Sequence, residues 1–123
     1  MIIAKPRHLA AAGALAAGAI LLAGCVAKAD VAEAAAFEVT SDDSNCTVSA
    51  GTATSGTLAF EVTNAGEQVT EFYLLAEDGL RIVGEVENIA PGASRTLTLV
   101  AQPGDYFTLC KPGMLGEGVG RTA

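Results

Sequence analysis

The chain has 123 residues, 50% of them hydrophobic, with 14 acids against seven Lys and Arg, one histidine, three cysteines and no tryptophan. That length holds one small domain and excludes a large multi-domain enzyme. The acidic balance argues against nucleic acid as a partner, because binding it requires clustered cations.

The apolar share is unevenly placed: Met1 to Ala29 is mostly Ala, Leu, Ile and Gly and contains none of the acids. The segment opens with Lys5, Arg7 and His8, continues as an apolar run from Leu9 to Leu22, and closes on Leu22-Ala23-Gly24-Cys25. A basic start, a short apolar stretch and small residues before a cut are the layout of an export signal. The order Leu-Ala-Gly-Cys resembles the lipobox of bacterial lipoproteins, in which the thiol, here Cys25, carries diacylglycerol. The alternative is an uncleaved anchor from Leu9 to Ala27, barely long enough to span a bilayer and weakened by its Ala and Gly. Either way the rest of the chain is expected outside the cytoplasm, at the outer membrane face or in the periplasm, held to the membrane through its N-terminus.

The expected organisation is a signal peptide over 1–24, a lipidated tether over 25–36 and a domain over 37–123. Cleavage removes His8 and leaves Lys28, Arg81, Arg95, Lys111 and Arg121 to face all 14 acids. Such a surface concentrates cations; it also simply keeps an exported domain soluble.

From Phe37 the periodicity is that of strands. Phe37 and Val39 alternate with Glu38 and Thr40, Leu58, Phe60 and Val62 with Ala59, Glu61 and Thr63, and Leu97 and Leu99 with Thr96 and Thr98. Period two with β-branched and aromatic residues predicts half-buried antiparallel strands. Two further strands are expected around Val69–Ala76 and Leu80–Glu87, joined by the tight turn Glu77-Asp78-Gly79, and a last one over Gly104–Cys110. Turn signals about a dozen residues apart suit a sandwich or barrel. With Cys25 committed to lipid, Cys46 and Cys110 are candidates for a disulfide in an oxidising compartment.

The runs Glu61-Val62-Thr63-Asn64-Ala65-Gly66, Glu87-Asn88-Ile89-Ala90-Pro91-Gly92, Pro103-Gly104-Asp105-Tyr106 and Cys110-Lys111-Pro112-Gly113-Met114 resemble a cupredoxin-like domain. Within that family, Val69-Thr70-Glu71-Phe72-Tyr73-Leu74 and Arg81 to Gly92 are similar to the N-terminal domain of EfeO-type iron-uptake lipoproteins. The resemblance implies an all-β, antiparallel Greek-key β-sandwich. It also implies a helical imelysin-like domain and a final strand beyond Ala123, so the expected sandwich lacks its final strand. The partners it implies are an iron permease and a haem peroxidase.

Blue copper needs two histidines and a cysteine, and the processed chain would have no histidine. The metal set that the resemblance implies is Cys46, Glu71 and Cys110, with Met114 nearby as a soft thioether suited to copper(I). As thiolates the cysteines could hold copper or iron; as a disulfide they leave only Glu71 and its neighbours. Asp42-Asp43 and Glu77-Asp78 are expected to cap turns, and Glu85 and Glu87 to share a solvated strand face.

Two readings of function follow. One is a lipid-anchored accessory domain of an iron-uptake system that binds iron or copper. The other is a metal-free, disulfide-clamped β-sandwich acting as an interaction or structural module at the cell surface. An enzyme is not expected, since without histidine there is no Ser-His or Cys-His pair to activate a nucleophile.

Overall fold

The structure, a computed structural model, describes residues 34–122. The expected signal peptide, the lipidation at Cys25 and most of the tether lie outside the described residues.

Eight strands follow one another: β1 Ala35–Ser41, β2 Cys46–Val48, β3 Gly56–Asn64, β4 Thr70–Leu75, β5 Ile82–Ile89, β6 Ser94–Ala101, β7 Phe107–Cys110 and β8 Val119–Thr122. They form two four-stranded sheets, ordered β2-β1-β3-β6 and β5-β4-β7-β8. The first strand begins two residues before Phe37, at Ala35.

Alternation decides which side chains go inside. Phe37 and Val39 of β1 and Leu58, Phe60 and Val62 of β3 are buried, and they meet Phe72, Leu74, Val86, Ile89 and Cys110 of the other sheet in one cluster. Three rings cross the interior. Phe37 stacks on Phe60 at 4.8 Å between centroids, and Phe60 lies 5.3 Å from Phe72 at a tilt of 41°. Each such pair adds about 0.5–1.5 kcal/mol beyond the area it buries. A polar link also crosses the sheets where the Ser41 and Thr70 hydroxyls lie 3.0 Å apart, both buried.

One expectation is corrected. The strands are not all antiparallel: β1 and β3 run parallel, from Ala35 beside Leu58 to Ser41 beside Asn64. The reason is β2, which folds back on β1 from Ser41 opposite Cys46 and so reverses the chain before it crosses to β3. Parallel neighbours need such a crossover. A strand that the sequence reading did not single out, Val119–Thr122, pairs with β7, Cys110 opposite Val119 and Thr108 opposite Thr122. Its glycine-rich sequence carries no period-two signal.

β4 departs from simple alternation, because all six of its residues are buried. Thr70, Phe72 and Leu74 face the core. Tyr73 and Leu75, with Leu109 and Phe107 of β7, form a small second cluster on the outer face of the sheet, and Glu71 lies on that side as well.

Candidate functional site

Cys46 opens β2 and Cys110 closes β7, so each lies in a different sheet. Both point inward and form a disulfide, with Cα atoms 5.5 Å apart. Cys110 is fully buried and Cys46 is 8% exposed. The bond therefore ties the edge of one sheet to an inner strand of the other.

Glu71 is only 7% exposed. Phe72, its neighbour in β4, pairs with Cys110 and faces the core, so the pleat sends Glu71 to the opposite face of the sheet. There the Tyr73 hydroxyl donates to a Glu71 carboxylate oxygen at 2.5 Å. Burial, and then this bond to an anion, push the Tyr73 phenol well above its ordinary pKa. Lys111, next after Cys110, places its ammonium 5.6 Å from the centre of the Tyr73 ring. Glu85 pairs across from Tyr73 on β5, and both Glu85 and Glu87 are exposed. Met114 stands in the short 3-10 turn Pro112–Met114 beyond Cys110, 37% exposed.

The structure thus brings Cys46 and Cys110 together but places Glu71 across the sheet from them. Among the described residues no three His, Cys, Asp or Glu side chains converge as a metal cage. Tyr73 and Lys111 were not singled out from sequence. The signal for Tyr73 was present, since residues two apart in a strand share a face. Lys111 could not be placed without the β4–β7 register.

The turn acids behave as caps. Asp42 accepts from the amides of Ser44 and Asn45, each at 2.7 Å, and these bonds hold its carboxyl below the usual range. Asp78 accepts from Leu80 and Arg81, both at 2.9 Å, with the same downward effect, led by Arg81. Asp43 reaches across to the amide of Glu67 at 3.0 Å.

A cleft of about 750 Å³ opens near the start of β3, floored by Phe37, Leu58, Phe60 and Leu74 and rimmed by Thr52, Thr54 and Asp105. Glu71 and Met114 take no part in it.

Two sheets in Greek-key order and a cysteine at the end of the seventh strand define the class, and the chain belongs to the cupredoxin-like domain family, whose model matches residues 14–119. It is an EfeO-type member. Over 82 residues, 67% of this chain, it is 34% identical to the iron uptake system component EfeO of Escherichia coli strain K12, and equally so to those of Shigella flexneri and Shigella sonnei. The match covers 21% of those proteins, so the chain spans about a fifth of the length of the curated relatives it matches. The copper chemistry of the wider fold family does not fit these residues. Type 1 copper takes a thiolate and two imidazoles, whereas Cys110 is bonded to Cys46 and the single histidine is His8.

Proposed function

We propose that this chain is an extracytoplasmic, lipid-anchored accessory domain of an EfeO-type iron-uptake system, with iron as cargo rather than resident cofactor. The likeness to EfeO supports the system. The leader and Cys25 support the anchor, and the partners are then the membrane, an iron permease and a haem peroxidase. No catalytic turnover is assigned to it.

The observation that carries the metal part is Glu71, a carboxylate buried beside a phenol on a sheet face that also bears Glu85 and Glu87. Oxygen donors of this kind suit iron better than copper(I). An acidic surface that includes Glu85 and Glu87 raises the local cation concentration, and Glu71 supplies the one inner contact, which makes the binding weak. Cys46 and Cys110 add soft donors to the Met114 thioether only once their disulfide has been reduced.

Calorimetric titration of the oxidised protein with Fe²⁺ and Cu⁺ tests this. Fe²⁺ should bind more weakly than a dedicated site would, and Glu71→Gln should abolish the heat. No binding tighter than about 100 μM for either ion, before or after reduction, would defeat the metal reading. The disulfide favours the second reading in that event: a metal-free clamped module that serves the same system by binding a protein.

A further inference from the structure

Each sheet ends in two edge strands, and three of the four are guarded. β2 has three residues and β8 four, the latter with a shifted register. β5 has eight but is broken by two register shifts against β4 and carries Glu85 and Glu87. Shortness, bulges and charges are the devices that keep sheet edges from pairing with other chains.

β6 is neither short nor bulged. Its eight residues keep an unbroken register with β3, from Gly56 opposite Ala101 to Thr63 opposite Ser94. It contains no proline, and its one charge is Arg95, whose guanidinium donates to the Glu87 carbonyl at 2.6 Å. From Thr96 to Ala101 the edge is uncharged. Its outer face presents Thr96, Thr98 and Val100, the last 67% exposed. Among the described residues no strand lies on its far side.

We propose that β6 is a pairing edge whose occupant is β6 of a second copy, added antiparallel about a two-fold axis at Thr98. An axis normal to the sheet keeps inner faces together, so Thr98 meets Thr98, Leu97 of each copy meets Leu99 of the other, Thr96 meets Val100, and Arg95 meets Ala101. Every opposed pair is then β-branched with β-branched, leucine with leucine, or a cation with a small residue. Cross-strand pairs of the first two kinds stabilise, and like charges directly opposed, which destabilise, are absent. The same operation on β5 would bring glutamates of the two copies close together. This self-complementarity selects a second copy over an unrelated strand. The two acidic bodies repel at long range, so pairing strengthens as salt screens them.

The test uses the full chain in its membrane. Thr98→Cys treated with a short bismaleimide should give a dimer-sized product at least about tenfold above the Thr40→Cys control, whose residue sits on the outer face of β1, two strands away. Untreated-sequence chain reports any product made through Cys25. Separately tagged copies should co-purify, and Thr98→Glu or Thr98→Lys alone should break that association, while co-expressing the two variants restores it. Equal cross-linking at residues 98 and 40, a product of another size, or co-purification indifferent to Thr98→Glu would each overturn the pairing.

Discussion

Glu71 and Asn64 are both polar and nearly inaccessible, and their surroundings give them different uses. Asn64 is 1% exposed. Its amide donates to the carbonyls of Gln68 at 2.7 Å and Ile89 at 2.8 Å, and its oxygen accepts from Gly66 at 2.9 Å. It thereby stitches the end of β3 to the end of β5 and closes its own turn. Asn64→Ala leaves three backbone groups short of partners, a loss of about 3 kcal/mol that urea unfolding would register. Glu71 accepts from the Tyr73 hydroxyl. Tyr73→Phe removes that donor while preserving the ring, and should cost about 1–3 kcal/mol by the same measurement. Asn64 was legible from its Asn-x-Gly spacing. The face on which Glu71 lies was not, because it depends on Phe72 pairing with Cys110, a contact between strands far apart in sequence.

At the scale of elements, the disulfide and β8 secure one open side of the sandwich together. The crosslink closes a separation of 64 residues, which in the chain-entropy account stabilises by about 4 kcal/mol. Reduction, or paired Cys46→Ala and Cys110→Ala, should lower unfolding stability by that order, measured as a drop in denaturant midpoint with little change in slope. β8 crosses close beneath β2. Gly120 has φ +68, and a Cβ there would collide with the Cys46 Cβ and backbone. Gly120→Ala should therefore displace β8, read as faster amide exchange at Leu109 and Cys110 with the disulfide still formed. Strands β1, β3 and β6 were plain in the sequence because one face of each is wet. β4, buried on both sides, gave a weaker alternation. β2 is too short to show a period, and the parallel β1–β3 pairing follows from the path between them, which no local pattern encodes.

For the molecule as a whole, the titrating groups bound a window of pH. Asp42 and Asp78 have folded values below the ordinary 3.8 because backbone amides bind their charged forms. Groups of that kind add stability above the unfolded value and lose it as pH falls through the folded one. Asp78 is exposed and Asp42 only half-buried, so the acid slope should be shallow. Tyr73 acts at the other end. Its folded value is raised above the ordinary 10.0, chiefly by burial and then by Glu71, so the folded state keeps a proton that the unfolded chain releases. Its contribution is complete below pH 10 and is lost as the pH climbs beyond it. Between the limits no imidazole lies among the described residues to titrate. Thermal midpoints followed by circular dichroism should therefore be level through neutrality, fall gently below pH 4 and fall steeply above pH 10. Tyr73→Phe should lower the neutral plateau and flatten the alkaline arm while leaving the acid arm as it is, and Asp42→Asn with Asp78→Asn should flatten the acid arm and leave the alkaline one. A variant that lowered the whole curve without changing either arm would show that the residue stabilises by packing and not through its proton.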